Sequence, residues 1–350
     1  NGFGKLDIGS QNDQSQAVAV AGLGASNLQL TGVSDVALGI DHSCAVLDTG
    51  NVVCWGGNFL YELGADPPVP GANDNFSTRP IAATKVNELL LIHGRVTAMG
   101  AGRNQSTCVV TEQGKGICWG FDRYNQTGHG EVPLNDALRA PDLVTEVGDR
   151  FSPATELSEI QVGQFSACAR KQSGRLMCWG YGLHGDVGNG VDLRFTPLPA
   201  QLGSKDSYHT AQWVVTPGFG AGGPPLEGVR ALAEGEGDHQ CAVLDDARGV
   251  CWGYNADGRL GNGKSGSFPF GTGTVVEAEA TPTYVAGLDG AEHLTGIVQM
   301  TRGFAHTCAL LDTGHVACWG QGDFGRLGNG STEVQARPVR VAFPGGPAAQ

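Results

Sequence analysis

A segment with two cysteines occurs five times along the 350-residue chain, and this repeat constrains the fold more than any other sequence feature. In each copy a second cysteine follows the first after ten residues, and Trp-Gly follows the second cysteine directly. The pairs are Cys44 and Cys54, Cys108 and Cys118, Cys168 and Cys178, Cys241 and Cys251, and Cys308 and Cys318. The copies begin 60 to 73 residues apart and use all ten cysteines and five of the six tryptophans. This regularity identifies a repeat protein.

Each copy has the pattern of a β-hairpin. Apolar residues flank a short polar break such as Asp48-Thr49-Gly50, and four copies have a glycine six residues after the first cysteine. Those glycines are Gly50, Gly114, Gly174 and Gly314, whereas the fourth copy has Ala247 at this position and Gly249 two residues later. Glycine suits the left-handed last residue of a three-residue hairpin loop because it has no Cβ atom.

The spacing places the two cysteines of each copy directly opposite one another on the hairpin strands. Opposed residues have Cα atoms roughly 4.5–5.5 Å apart, within the roughly 4.4–6.8 Å that a disulfide spans. We therefore predict five cross-strand disulfides, one in each repeat, and the alternative is ten buried free thiols. Paired cysteines favour an oxidising compartment, so we expect an extracellular, cell-surface or periplasmic protein.

Composition and charge favour an all-β protein and disfavour several kinds of partner. The chain has 56 glycines and 17 prolines and shows no helical periodicity, which suits short strands joined by tight turns. Its net charge of −13 disfavours nucleic acid and anionic lipid, because both need basic surfaces. No run of 18 apolar residues occurs, so we expect no transmembrane helix. The chain opens at Asn1 without a signal peptide, which indicates a removed leader or a start inside a longer product.

Each period holds four predicted strands: an outer strand after a proline, a strand that ends in glycine, and the two hairpin strands. That content fits a four-stranded propeller blade, and we interpret residues 1–350 as one domain. The predicted repeats are 10–64, 78–130, 137–190, 194–263 and 279–330, with a closing strand and tail at 331–350. Residues 1–9 match the repeat tail at 322–330, so the N-terminus enters within a repeat.

The repeat pattern also predicts how the two ends of the array are used. Ala17–Ala21 and Ile81–Val86 are predicted strands, and Pro338–Phe343 is the predicted first strand of a further repeat. A propeller avoids exposed strand edges by closing its ring. We expect Val339–Ala342 to pair near Ala17–Ala21 within the chain, and the alternative is head-to-tail self-association between chains.

The repeated motif resembles that of RCC1-type propellers. It reads Gly-x-x-His-x-Cys-Ala-x-Leu-x-x-Gly-x-Val-x-Cys-Trp-Gly-x-x-x-x-Gly-x-Leu-Gly, and Gly303–Cys308, Val316–Gly320 and Gly325–Gly328 carry it best. The resemblance covers essentially the whole chain, and the cysteine-bearing version is similar to RCC1-like proteins of bacterial cell surfaces. It implies a propeller, commonly seven-bladed, that binds protein partners on a rim or face, and it implies no single activity. Because five hairpins are visible, we expect five to seven blades.

No set of residues has a recognisable catalytic or cofactor-binding pattern. His42, His239 and His306 each lie two residues before the first cysteine of a repeat, where a hydrogen bond to an adjacent loop is favoured over metal binding. No Cys-x-x-Cys zinc spacing and no nucleophile-elbow motif occurs. Asn73-Asp74-Asn75 and Asn255-Ala256-Asp257-Gly258 offer oxygen atoms to calcium but lack the EF-hand spacing. We therefore expect no enzyme activity, no metal and no cofactor.

Aromatic residues within a few positions after each Trp-Gly are the predicted partner-binding residues. They are Tyr61, Tyr124, Tyr181, Tyr254 and Phe324. Tyrosine and phenylalanine give a large contact area at low entropic cost, and the alternative is that they pack between blades. We predict a secreted or cell-surface scaffold that binds a protein. The alternatives are a carbohydrate-binding propeller, and an enzyme or enzyme inhibitor with its site in the loop face.

Overall fold

Five β-hairpins carry the repeated motif in the computed structural model, which describes residues 2–6, 10–23, 28–65, 76–103, 105–130, 138–194, 203–204, 207–266 and 277–342. The strands are β1 (Val33–Leu38), β2 (His42–Leu47), β3 (Val52–Gly57), β4 (Phe76–Ala82), β5 (Val96–Ala101), β6 (Ser106–Thr111), β7 (Gly116–Phe121), β8 (Leu138–Leu143), β9 (Thr145–Glu146), β10 (Asp149–Pro153), β11 (Leu157–Val162), β12 (Ser166–Lys171), β13 (Leu176–Tyr181), β14 (Gly203–Ser204), β15 (Ser207–Trp213), β16 (Val229–Leu232), β17 (Glu234–Gly235), β18 (His239–Leu244), β19 (Gly249–Tyr254), β20 (Ala278–Tyr284), β21 (Ile297–Arg302), β22 (His306–Leu311), β23 (Val316–Gly320) and β24 (Gln335–Arg340). The helical elements are α1 (Thr84–His93) and short 3-10 turns at Gly2–Gly4, Leu288–Gly290 and Asp323–Gly325.

The chain forms two compact units, Asn1–Ala167 with His209–Ala211, and Cys168–Tyr208 with Gln212–Gln350. In the first unit, two antiparallel four-stranded sheets have the orders β1-β2-β3-β4 and β5-β6-β7-β8. In the second unit, β16-β18-β19-β20 and β21-β22-β23-β24 repeat this order, and β17 adds a short parallel pairing with β21. The third repeat contributes β11, β12, β13 and β15, of which β13 and β15 pair antiparallel. These sheets confirm the predicted all-β propeller architecture.

The outer strand of each of these sheets follows its hairpin, whereas the predicted repeats place it before the hairpin. β4 pairs with β3, and β24 pairs with β23, where Val339 lies opposite Cys318. β24 is therefore the outer strand of the fifth sheet and does not begin a further repeat. Residues 17–20 form no strand, and Ala21 makes one isolated bridge to Gln29, so the predicted strand at Ala17–Ala21 is wrong.

A helix between the first two sheets differs from the sequence prediction. Ile81–Val86 is predicted as a strand, but the chain leaves β4 and enters α1 within this segment. Val86 and Leu90 lie one turn apart on the buried face of α1 and pack into the same core as Trp119. Among the described residues, no helix has the length and apolar character needed to cross a membrane.

The hairpins hold their cysteines in opposed positions, and the structure confirms the five predicted disulfides. The bonded pairs are Cys44–Cys54, Cys108–Cys118, Cys168–Cys178, Cys241–Cys251 and Cys308–Cys318. Their Cα atoms are 4.1 Å apart in every pair. Most of these cysteines are fully buried, so the bonds lie in the core rather than on the surface.

All five hairpin loops turn through a left-handed residue. The glycines have φ angles of 86° at Gly50, 67° at Gly114, 79° at Gly174 and 80° at Gly314, as the sequence predicts. The fourth loop makes the same turn with Ala247 at a φ of 62°. The Ala247 N–H donates to the Leu244 carbonyl at 2.9 Å, as in the glycine loops, so the turn is kept despite the Cβ atom.

We expect Ala247→Gly to stabilise the protein by about 0.5–1 kcal/mol, because relief of left-handed strain exceeds the entropy that glycine adds to the unfolded chain. Gly314→Ala is the matched control. An added Cβ at Gly314 meets no atom within 4 Å, so it reports the backbone effect alone and should destabilise by a similar amount. Urea unfolding of both variants measures these changes, and a destabilised Ala247→Gly would contradict the strain at this loop.

Candidate partner-binding surface

Four repeat tails are held by the tryptophan of the repeat that follows them. The indole N–H donates to a backbone carbonyl of the preceding tail in four places: Trp55 to Lys5 at 3.0 Å, Trp119 to Glu62 at 2.9 Å, Trp252 to Asp186 at 3.1 Å, and Trp319 to Arg259 at 2.9 Å. The residue before each of these carbonyls is left-handed, at Gly4, Tyr61, Gly185 and Gly258. The linked tails therefore share one turn, and their side chains occupy equivalent positions.

Two of the three motif histidines make hydrogen bonds to threonines on strands of the next sheet, whereas the sequence analysis expects a bond to an adjacent loop. His42 Nε2 lies 2.7 Å from Thr107 Oγ1, and His239 Nε2 lies 2.7 Å from Thr307 Oγ1. The Thr307 hydroxyl donates to the Arg259 carbonyl, so it accepts from a neutral His239 ring. Burial lowers the pKa of His42 to about 4 and the pKa of His239 well below its ordinary value.

The potential metal ligands are occupied by internal contacts where the structure describes them. In the Asn255-Ala256-Asp257-Gly258 loop, Asn255 Oδ1 accepts from Leu260 N at 3.1 Å and its Nδ2 donates to the Lys264 carbonyl at 3.1 Å. Within the described ranges, no three His, Cys, Asp or Glu side chains are grouped as metal ligands. The other calcium candidate, Asn73-Asp74-Asn75, lies outside the described residues.

Five side chains form a continuous stack in the second unit, which we call the aromatic stack. The ring centroids of Tyr181 and His184 are 5.8 Å apart, and those of His184 and Tyr254 are 5.0 Å apart, both in edge-on contact. The Arg259 guanidinium lies 4.6 Å from the Tyr254 centroid and 5.9 Å from that of Phe304. Arg259 also donates to the Phe304 carbonyl at 2.8 Å, which ties the last two members together.

The aromatic stack carries little net charge. Burial, assisted by the positive charges of Arg194 and Arg259, lowers the pKa of His184 to about 4, so its imidazole is neutral at pH 7. Arg259 is buried and paired with Asp257. Burial also raises the pKa of Tyr254, which keeps its hydroxyl protonated. The stack therefore suits recognition through aromatic and apolar contact rather than through long-range charge.

The predicted aromatic residues occupy different positions of the repeat. Tyr181 and Tyr254 follow Trp-Gly directly, whereas Tyr124 and Phe324 lie three residues later, at the position of His184. Within the stack, Tyr181 touches His184 of its own repeat, and His184 touches Tyr254 of the next. The structure thus brings Tyr181 and Tyr254 into one surface through a histidine that the sequence analysis overlooked.

The other three predicted residues lie in separate surroundings. Tyr124 contacts Phe165 in the first unit, with ring centroids 5.0 Å apart. Tyr61 is half-buried and holds a left-handed backbone with a φ of 65°. Phe324 is 97% exposed and makes no ring contact with any described residue. Of these three, Phe324 alone presents its whole ring to solvent.

Three members of the aromatic stack are absent from the sequence prediction, and each could be found by a different signal. His184 aligns with Tyr124 when the repeats are superposed on their tryptophans. Phe304 follows the glycine of the Gly-x-x-His motif in the fifth repeat. Arg259 has no such signal, because its role depends on the contact between successive repeats.

Sequence profiles agree with the motif. The profile described as the Regulator of chromosome condensation (RCC1) repeat matches residues 33–61 and 297–326, and a second profile of that description matches residues 313–350. The matched segments contain the first and the fifth hairpins. They coincide with the copies in which the repeat motif is well kept.

Two plant proteins are similar in sequence to this chain over most of its length. The ultraviolet-B receptor UVR8 of Arabidopsis thaliana is 25% identical over 330 residues, which are 94% of this chain and 61% of the receptor. The mitochondrial RCC1 domain-containing protein RUG3 of the same plant is 25% identical over 318 residues, which are 88% of this chain and 58% of RUG3. The chain therefore spans about three-fifths of the length of these relatives.

Solved structures show the same fold at low identity. Human WBSCR16 has a TM-score of 0.63 at 21% identity, over 89% of this chain and 68% of that one. Prp20p from Saccharomyces cerevisiae has a TM-score of 0.61 at 16% identity, over 89% of this chain and 63% of that one. Together with the repeat motif and the four-stranded sheets, these similarities identify the chain as an RCC1-like repeat β-propeller with a disulfide in each of its five repeat hairpins.

Proposed function

We propose that this propeller is a secreted or cell-surface scaffold that binds a protein partner and catalyses no reaction itself. The observation that carries the proposal is the exposure of Phe324, at 97%, in the repeat position where His184 is covered by Tyr254. A fully exposed aromatic ring offers a partner a large contact area at low entropic cost. Among the described residues no side chain covers the Phe324 ring, so the ring is available to a partner.

Similarity to other propellers supports a role in protein binding. The yeast protein Prp20 has been crystallised with Kap60 bound to it. A protein with this fold therefore forms a complex with another protein. The neutral aromatic stack suits the same mode, because aromatic residues are prominent among the residues that dominate binding energy at protein interfaces.

The disulfides support secretion or a cell-surface location. The hydrogen bonds of the buried histidines support the absence of catalysis. Five cross-strand bonds suit secretion, since such bonds are rare where thiols are kept reduced. His42 and His239 are neutral, and the Nε2 atom of each is hydrogen-bonded to a threonine hydroxyl. Neither histidine is placed to activate a substrate.

We expect Phe324→Ala to weaken partner capture at least ~10-fold, because truncation of an interface aromatic residue typically costs more than ~1 kcal/mol. The protein serves as bait for surface and secreted proteins of its own source cells, and captured proteins are quantified by mass spectrometry. Phe151→Ala is the control, because Phe151 is also a highly exposed phenylalanine, at 82%, but lies on β10.

The control variant should capture as much partner as the unchanged protein. Equal capture by the Phe324→Ala variant would contradict the proposed surface. In parallel, the protein is tested for hydrolase and GTPase-exchange activity and on a glycan array. Turnover abolished by a single histidine or aspartate substitution would contradict the non-catalytic role, and glycan binding lost with Phe324 would move this surface to the carbohydrate alternative.

A further inference from the structure

A cleft of about 620 Å³ lies beside Tyr284 in the second unit, and we call it the Tyr284 cleft. Its walls are the end of β20, residues 262–264, the turn at 290–293, and Arg337 of β24. Tyr284 and Pro217 also line an adjoining cleft of about 520 Å³. Small-molecule sites usually have volumes of about 300–1,000 Å³, so the Tyr284 cleft has room for a ligand of the size of one or two sugar rings.

The walls of the Tyr284 cleft are held in place before any ligand enters. The Tyr284 ring contacts two side chains: the Arg248 guanidinium lies 4.4 Å from its centroid, and the His293 ring centroid lies 4.6 Å away. In another part of the lining, Asn262 Oδ1 accepts from Lys264 N at 3.1 Å, and Lys264 Nζ pairs with Glu279 at 2.8 Å. A preformed site loses little conformational entropy when it binds.

Arg337 lines the cleft without a carboxylate beside it among the described residues. It is exposed and has no ion-pair partner among the described residues. By contrast, Arg340 on the same strand pairs with Asp289 at 2.8 Å, and Glu292 at the cleft rim lies 3.5 Å from His293 Nε2. The Arg337 guanidinium offers a planar pair of donors to a carboxylate from outside.

The remaining lining suits the body of a sugar. Pro217, Pro282 and Ala286 supply apolar contact. Thr281 supplies a hydroxyl that can exchange hydrogen bonds with sugar hydroxyls. The mixture of a few fixed polar groups and apolar walls is typical of a small-molecule site.

The geometry points to the Tyr284 cleft as a binding site for a sugar that carries a carboxylate, with the carboxylate on Arg337 and the ring against Pro217 and Tyr284. The uronic acid is either free or a residue of an acidic polysaccharide. Both sources present the same chemistry to the cleft. This site uses none of the residues of the aromatic stack, so it stands independently of the protein-binding role.

Titration calorimetry of the full chain at low salt tests the site with four probes: glucuronic acid, a glucuronate-containing trisaccharide, glucose and acetate. We expect glucuronic acid to bind, glucose to bind at least ~10-fold more weakly, and acetate to bind more weakly than glucuronic acid, because the charged pair and the ring contacts both contribute. A tighter trisaccharide indicates a polysaccharide source, and equal affinity indicates the free sugar acid. Glucose binding as strong as glucuronic acid, or acetate binding as strong, would overturn the proposal.

Arg337→Ala should weaken glucuronic acid binding at least ~10-fold, since a charge-assisted bidentate pair is lost. Arg340→Ala is the matched control on the same strand, because that side chain is already paired with Asp289. It should leave the Kd unchanged. Equal loss in both variants would indicate a general charge effect, and no loss in the Arg337→Ala variant would remove the site. Circular dichroism of both variants confirms that they are folded.

Discussion

Reduction of the five disulfides should lower the free energy of unfolding more than any other single change. Each bond closes a loop with a sequence separation of 10, and loop-closure entropy assigns about 2–3 kcal/mol to a loop of this size. Five such bonds together match or exceed the ~5–15 kcal/mol by which a typical domain is stable. We therefore expect the reduced protein to unfold at or near room temperature.

Thermal unfolding with and without reductant measures this effect, and mass spectrometry of unreduced peptides identifies the pairs. Paired replacement of Cys44 and Cys54 by alanine should cost about 2–3 kcal/mol and leave the other four bonds intact. The same replacement at Cys308 and Cys318 gives a second, independent value. Alkylation of cysteines in the unreduced, denatured protein would contradict the bonds and, with them, the proposed compartment.

The second large effect is a pH-dependent cost of the buried Glu62 carboxyl. Burial raises the pKa of Glu62 from 4.5 to about 7, although its Oε2 accepts from Leu60 N. Because the folded protein holds this proton more tightly than the unfolded chain, the stability due to Glu62 is complete below pH 4.5 and is lost as the pH rises through 7. Glu62→Gln should therefore stabilise by about 2–3 kcal/mol at pH 8 and have little effect at pH 4.

The next repeat contains the matched residue for this experiment. Gln126 occupies the position of Glu62, and its Oε1 accepts from Tyr124 N at 2.8 Å in the same way. Gln126→Glu should create the pH dependence that Glu62→Gln removes. Urea unfolding between pH 4 and pH 8 gives both difference curves. A difference that stays constant across this range would show that the pKa of Glu62 is the same in the folded and unfolded protein, and it would contradict the cost of burying this carboxyl.

The hairpins are predictable because a short-range rule sets each one. A separation of ten between the cysteines of a pair, such as Cys44 and Cys54, together with a glycine at the turn, fixes the register before any tertiary contact is known. The outer strands are different, since β4 is close in sequence to both the first and the second hairpin. The hydrogen bonds between β4 and β3 assign β4 to the sheet of the first hairpin, and these bonds cannot be inferred from a repeat pattern alone.

Helix α1 is not predictable from the periodicity of its sequence. Its second half contains Leu89, Leu90, Leu91 and Ile92 in a row, so the apolar residues do not follow a helical period. Only Leu90 of this run is fully buried, whereas Leu91 and Ile92 are exposed. Burial of one face, which defines an amphipathic helix, becomes visible only when the neighbouring sheets are in place.

The candidate partner-binding surface is also only partly predictable from the sequence. Tyr181 and Tyr254 are predicted because the position after Trp-Gly recurs along the chain. His184 and Arg259, which connect them to each other and to Phe304, act only where one repeat meets the next. A repeat pattern gives the equivalent positions, and the packing of successive repeats determines which of them touch.

The tryptophan links also bear on how such an array can change in length. Each linked repeat gives an indole N–H to the repeat before it and, through its own tail, a carbonyl to the repeat after it, as Trp252 and Arg259 show. A gene duplication or deletion of one full repeat adds or removes one indole N–H donor and one tail carbonyl acceptor together. This holds at whichever point of the repeat the duplication or deletion begins. No buried indole is then left without a partner at the junction, which would cost stability. Ancestral arrays could gain or lose whole blades without a compensating mutation at these links.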